Sequence, residues 1–166
     1  FYQPPTADNE TVIEAATKSY KKIISVLKRN PKIKFTLNLT GCLLEKLDKL
    51  GFNYLIADLK TLKDKKQIEL TGTAAYHPIL PLLPAAEIKK NIEANQAILK
   101  KYFGKNFRAS GFFPPELAYS LKTAKIIASL GYKWIILDEI SAFGELNKLN
   151  FNKLHIEKNI GLKIFF

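Results

Sequence analysis

Among the residues of this chain, Glu116 has the neighbours most suited to chemistry. It follows two prolines in the run Gly111-Phe112-Phe113-Pro114-Pro115-Glu116-Leu117-Ala118-Tyr119. A carboxylate held among aromatic rings suits sugar chemistry. The rings stack on the apolar faces of pyranoses, and the carboxylate can attack or stabilise an oxocarbenium-like centre. A second reading is open, in which Glu116 sits in the first turn of the following helix and is favoured there by the helix dipole. His77, between Tyr76 and Pro78, could hydrogen bond a sugar, ligate a metal, or be a loop histidine satisfied by backbone. Asp138, beside Glu139 at the end of an apolar run, either binds substrate or caps a helix. His155 lies in a Lys- and Asn-rich stretch and reads as incidental. Trp134, inside an apolar run, reads as core.

Several other chemistries lack their parts. His77 has no second ligand at metal spacing, so a zinc site is poorly supported. No glycine-rich phosphate loop is present, and no G-x-S-x-G elbow for acyl transfer. Cys42 is the single cysteine, which excludes an intrachain disulfide and a cysteine metal cluster. Flanked by Leu43 and Leu44, it reads as a buried helical thiol, and without a pair it gives no sign of an oxidising compartment.

The elements that must position these residues alternate between helices and short strands. Thr11 to Arg29 places Ile13, Ala16, Tyr20, Ile23, Ile24 and Leu27 on one helix face, with Asp8 or Asn9 to cap it and Pro31 beyond its end. Helices are also expected over Leu43 to Leu50, Tyr54 to Leu62, Ala85 to Phe103 and Ser120 to Leu130. Strands are expected over Ile33 to Leu39, Ile68 to Thr73, Arg108 to Phe112 and Lys133 to Leu137, with later ones at Leu154 to Glu157 and Leu162 to Phe166. Strand and helix in turn, with no hairpin signal, point to parallel βα units in one α/β domain over residues 1–166. In both barrel and open-sheet versions the chemistry lies on loops after the strands' C-terminal ends. Those loops carry Gln3, Asn38 and Thr40, His77, Phe113 and Glu116, and Asp138.

Charge decides little. The formal net charge is +11, but Arg29 and Arg108 are the only arginines, whereas bidentate phosphate and guanine contacts favour arginine. The lysines are scattered over expected helix surfaces among Glu and Asn, so no nucleic-acid partner is expected. No apolar run approaches the ~20 residues needed to span a bilayer. No signal peptide is visible, and the reading leans to the cytoplasm. The chain starts without Met and stops inside the apolar run Ile164-Phe165-Phe166, so both ends read as cuts.

Four segments in order, Phe1-Tyr2-Gln3-Pro4-Pro5, Thr71 to Leu83 (TGTAAYHPILPLL), Gly111 to Ser120 (GFFPPELAYS) and Gly131 to Glu139 (GYKWIILDE), together resemble the N-terminal part of glycoside hydrolase family 57, the α-amylase and amylopullulanase group. The resemblance covers essentially the whole chain. It implies a partial (β/α)7 barrel, an incomplete TIM-like barrel, and a retaining mechanism on α-glucans that needs no cofactor and no metal. Glu116 matches the family's catalytic nucleophile and His77 a histidine lining the sugar site. Gln3, Asn38, Phe113 and Asp138 are expected to join His77 in binding substrate. Of the family's opening His-x-His-Gln-Pro element only Gln3-Pro4 is present, and its acid/base, an Asp in a later motif, should fall beyond Phe166. Retaining hydrolysis needs two carboxyl groups about 5–5.5 Å apart, so residues 1–166 alone should be nearly inactive. Two rivals stay open: a metal-dependent polysaccharide deacetylase of the same barrel class, and a non-catalytic glucan- or polyanion-binding module.

Overall fold

The computed structural model describes residues 1–150 and 153–166. The first helical stretch is not uniform. α1 (Asn9–Ala15) is capped by Asp8, which accepts from the Thr11 amide at 2.7 Å, and runs through a π-helical turn (Ala16–Tyr20) into α2 (Lys21–Arg29). The expected single α-helix is thus interrupted, for a reason written in its buried positions. Val12, Ala16, Tyr20 and Ile24 follow one another at steps of four, and such a row drifts around an α-helix by about 40° per step. A π turn bonds i to i+5 and holds more residues per turn, so it takes up part of that drift and keeps the row facing one core.

β1 (Phe35–Asn38) follows, then α3 (Gly41–Lys49) and α4 (Asn53–Asp64), and then β2 (Ile68–Thr71), which pairs with β1 in parallel, Phe35 opposite Ile68 and Asn38 opposite Thr71. α5 (Ala85–Phe103) leads to β3 (Gly111–Phe112), and α6 (Leu121–Ser129), capped by Ser120, leads to β4 (Trp134–Ile136). α7 (Glu139–Phe143), β5 (His155–Glu157) and β6 (Leu162–Phe165) close the chain. β4 pairs in parallel with β3 on one side and with β6 on the other. A parallel bridge between Gly72 and Phe112 joins the two groups of strands. The outcome is an α/β fold of parallel βα units, as the alternation predicts, with one departure. β5 and β6 form an antiparallel pair, because the turn 158–161 reverses the chain through Gly161 at φ 68°. The strands are also shorter than expected, since pairing begins only where a partner is present. Phe35, for example, enters β1 by donating to the Gln67 carbonyl at 3.1 Å, which leaves Ile33 and Lys34 outside.

The core has two parts, and α5 belongs to both. Leu99 and Phe103 pack with Leu37, Leu44, Leu47, Leu59 and Leu70, while Ile88 and Ile92 pack with Phe112, Ala124, Ile127 and Ile135. Each such side chain stabilises the fold by about 1.5–3 kcal/mol when fully buried. Between the two sets sits Asn95, fully buried, whose Oδ1 accepts from the Gly41 amide at 2.7 Å and so fixes the start of α3 to α5. No helix among the described residues is long and apolar enough to cross a membrane.

The junction between β2 and β3 is glycine on both sides because rings lie against the backbone there. A Cβ at Gly72 would come within 2.3 Å of the Tyr132 ring, and one at Gly111 within 2.0 Å of the Trp134 ring. Trp134 is half-buried and packs on that glycine, with its ring edge-on to Phe165. Gly111→Ala should therefore destabilise the chain by about 1–3 kcal/mol, the usual cost of overpacking. Urea unfolding followed by tryptophan fluorescence checks this, and an unchanged midpoint would mean that Trp134 moves aside freely.

Candidate active site

The parallel strands point their C-terminal ends to one edge, and the loops leaving that edge hold the candidate residues. After β2 the chain is buried from Thr71 through Ala75 and fastened on both sides. Cys42 donates its amide to the Ala75 carbonyl, and the Ala75 amide donates to the Asn91 carbonyl, each at 3.1 Å. This fixed stretch delivers His77, whose φ of 56° lies in the left-handed region. After β3 the chain runs through Pro114 and Pro115 into a 3-10 turn (Pro115–Leu117) closed by the Leu117 amide on the Pro114 carbonyl. Glu116 and Leu117 stand there at φ 55° and 54°.

These conformations are informative. Among the described residues five other than glycine have positive φ, and three of them are His77, Glu116 and Leu117. A side-chain-bearing residue pays roughly 1–2 kcal/mol for this region, and such strain persists only where the surroundings impose it. The prolines, with φ fixed and no amide hydrogen, leave the turn few alternatives. Because α6 begins only at Leu121 with Ser120 as its cap, Glu116 is not in its first turn. The helix-dipole reading of Glu116 is corrected on that ground.

The two residues meet. His77 Nε2 stands 3.2 Å from Glu116 Oε1. A carboxylate only accepts hydrogen bonds, so Nε2 carries the proton and donates. The His77 side chain is 8% exposed, that of Glu116 67%. The imidazole is therefore a nearly enclosed support, and the carboxylate is the group open to a ligand. Burial lowers the His77 pKa from its ordinary value, while the hydrogen bond and charge of Glu116 pull it back upward. His77 Nδ1 and Thr73 Oγ1, both on the loop after β2, are buried without a hydrogen-bond partner among the described residues. The other face of His77 is covered by Tyr2, whose ring is stacked on the imidazole at 3.9 Å and 21°.

The remaining candidates are placed less directly. Gln3 donates through Nε2 to the Tyr20 hydroxyl at 3.3 Å, and Asn38 Oδ1 accepts from Thr71 Oγ1 at 3.3 Å across the β1–β2 pair. Phe113 is half-buried and ties the seam by donating its amide to the Gly72 carbonyl at 2.9 Å. Asp138 caps α7, both carboxylate oxygens accepting from Ser141, one from its amide and one from its hydroxyl, at 2.7 Å each. Cys42 is half-buried rather than buried, with Sγ 3.5 Å from Thr40 Oγ1, since α3 turns that side toward the Phe1–Pro5 loop. His155 lies apart from the pair, edge-on to Phe143 and Phe166. Among the described residues no group of three or more His, Cys, Asp and Glu side chains is arranged to hold a metal ion. Sequence reasoning passed over Tyr2. It lies in a segment already marked by Gln3 and the prolines, but nothing in that segment announces which distant ring it covers.

A carboxylate braced by an imidazole at the C-terminal edge of parallel βα units is a carboxylate-centred site on an α/β scaffold. Residues 5–166 match Glycosyl hydrolase family 57, and the chain belongs to that family. It is 26% identical over 136 residues to an α-amylase of Pyrococcus horikoshii, taking in 81% of this chain and 21% of that one. The crystal structure of a 4-α-glucanotransferase from Thermococcus litoralis has the same fold with a TM-score of 0.80 at 21% identity, over 92% of this chain and 23% of that one. A family 57 branching enzyme from Thermococcus kodakaraensis gives 0.75 at 18% identity, over 99% and 44%. The chain spans about a fifth of the length of four curated relatives that it matches.

The His77–Glu116 contact has a measurable signature. The folded pKa of His77 lies below its ordinary value of 6.5, so its contribution to stability is complete above that pH and is lost as the pH falls below it. An NMR titration of the imidazole should give a midpoint under 6.5. In Glu116→Gln the midpoint should fall further, because the group that favours the imidazolium is gone. A midpoint that does not respond to Glu116→Gln would show that the two side chains are apart in solution.

Proposed function

We propose that this chain supplies the nucleophile side of a retaining glycosidase or transglycosylase acting on α-1,4-glucans such as starch, glycogen and maltodextrin. Support comes from membership of family 57 and from relatives named as α-amylases and a 4-α-glucanotransferase. The observation that carries the residue assignment is the exposed Glu116 carboxylate held on strained backbone against the enclosed His77 imidazole. Glu116 attacks the anomeric carbon, the leaving oxygen departs with a proton from a second carboxyl group, and a covalent glycosyl-enzyme forms. Water or another sugar hydroxyl then displaces Glu116, with the second group acting as base.

In this reading residues 1–166 form the N-terminal part of a (β/α)7 barrel, and the acid/base is an Asp following Phe166. His77 orients the carboxylate while remaining neutral, and Gln3, Asn38, Phe113 and Asp138 contribute to the sugar-binding edge. The chemistry needs two carboxyl groups and no cofactor. Hydrolysis and transfer differ only in whether water or a sugar hydroxyl resolves the intermediate.

In the intact protein, Glu116→Gln should lower kcat on maltooligosaccharides at least about ten-thousandfold, as loss of a covalent nucleophile does. A slowly turned-over fluorinated maltosyl donor should leave a glycosyl adduct on the peptide containing Glu116, read by mass spectrometry. Wild-type turnover by the variant, or an adduct on another carboxylate, would sink the assignment.

A further inference from the structure

The π turn ends on a residue that reaches the site from outside it. Tyr20 is 6% exposed, and its hydroxyl donates to the Tyr2 carbonyl at 3.1 Å and accepts from Gln3 Nε2 at 3.3 Å. Its ring carries that of Phe1 in a stack at 4.2 Å and 20°. Tyr2 in turn stacks on His77, and His77 hydrogen bonds Glu116. A continuous series of contacts therefore runs from the first helix to the carboxylate.

We propose that Tyr20 is a positioning residue for the Glu116 site, holding the Tyr2 backbone through its hydroxyl so that the Tyr2 ring fixes the His77 imidazole against the carboxylate. Its catalytic meaning rests on the reading of Glu116 as nucleophile, while its geometry does not. Packing alone does not account for the hydroxyl. A phenylalanine ring would fill the same space and stack on Phe1, whereas a buried phenol needs hydrogen-bond partners, and Tyr20 finds both on consecutive residues of one loop. The other polar ties of that segment lie at different points: Ala7 donates to the Pro4 carbonyl, Lys46 Nζ donates to the Ala7 carbonyl, Cys42 Sγ lies 3.9 Å from the Gln3 carbonyl, and the Phe1 nitrogen meets the Asn38 carbonyl. A ring stack is sensitive to registration, because a gap of 0.5–1 Å already forfeits a quarter to a half of the dispersion attraction. A π turn in a helix often marks a functional position. Here it turns the hydroxyl toward the loop while Val12 and Ile24 keep the core face.

Of the charged groups that act on His77, the Glu116 carboxylate and the nitrogen at the start of this sequence, only the first is varied, and a double-mutant cycle isolates it. In the intact protein with labelled histidine rings, the His77 midpoint is titrated with Glu or Gln at position 116, in the parent and in Tyr20→Phe. The drop caused by Glu116→Gln should shrink by at least half in the Tyr20→Phe background. An equal drop in both backgrounds overturns the proposal and leaves Tyr20 a packing residue, whatever happens to Tm. Should Tyr20→Phe fail to fold, the same cycle is run on Tyr2. Tyr2→Ala should lose the coupling and Tyr2→Phe keep it; a Tyr2→Ala that keeps it, or a Tyr2→Phe that loses it, overturns the proposal. No glucan enters this measurement, so absence of glucan turnover would strike the proposed function without touching the result.

Discussion

Two backbones touching without side chains set the geometry of this site. At the seam between β2 and β3 the Gly72 amide donates to the Gly111 carbonyl at 2.8 Å, and the Gly72 carbonyl accepts from Phe113 at 2.9 Å. These bonds fix the register of two loops at once. His77 lies five residues beyond Gly72, and Glu116 four residues beyond its bridge partner Phe112. Parallel strands send similar lengths of chain past the same edge, which is how residues 39 positions apart come within hydrogen-bond reach. A slip of one residue would turn every strand side chain to the opposite face. The rings of Tyr132 and Trp134 guard against it by filling the space that any side chain on either glycine would need.

The strain at His77, Glu116 and Leu117 follows from that register. A relaxed turn after Pro115 would carry the carboxylate elsewhere, so the prolines and the closed 3-10 turn hold it where the seam requires. The division of exposure is equally purposeful. A buried imidazole resists protonation and can donate one hydrogen bond without placing a full positive charge on its partner. An imidazolium there would hold the carboxylate in an ion pair, which would oppose the attack proposed for Glu116. Tyr2 covers one face of the imidazole and Tyr20 donates to the Tyr2 carbonyl, so contacts run from the first helical stretch to Glu116 Oε1.

Much of this was legible in the sequence. The alternation of helices and strands, the extent of α5, the helix near Ser120 to Leu130 and the grouping of candidate residues on post-strand loops all follow from periodicity and turn chemistry, which are local. What was not legible depends on pairing between distant segments. The π turn needs a count of which residues are buried together, and the antiparallel β5–β6 pair has no tight-turn dipeptide to announce it. Tyr20 reads in the sequence as one more apolar position on a helix face, because its hydroxyl acquires meaning only when the Phe1–Pro5 loop is laid over it. Glu116 shows the same limit. The sequence left helix dipole and sugar site both open, and the start of α6 at Leu121 decides against the first.

The arrangement also bears on which carboxyl group could donate the proton in the proposed mechanism. A general acid must hold its proton near neutral pH, so its pKa has to be raised. Asp138 lies at the end of β4 in the same sheet as β3, but its environment works the other way. The amide and hydroxyl of Ser141 stabilise its charged form and lower its pKa. Glu139 beside it is lowered as well, chiefly by the Leu149 amide. Both carboxylates are held as anions by hydrogen bonds that also shape the chain around α7, and releasing them to carry a proton would undo those bonds. A carboxylate so committed can still accept hydrogen bonds through its remaining lone pairs, which is what the substrate-binding role proposed for Asp138 asks of it. In the proposed mechanism the proton therefore comes from a group with the opposite surroundings: enclosed, poorly solvated, and free of such donors.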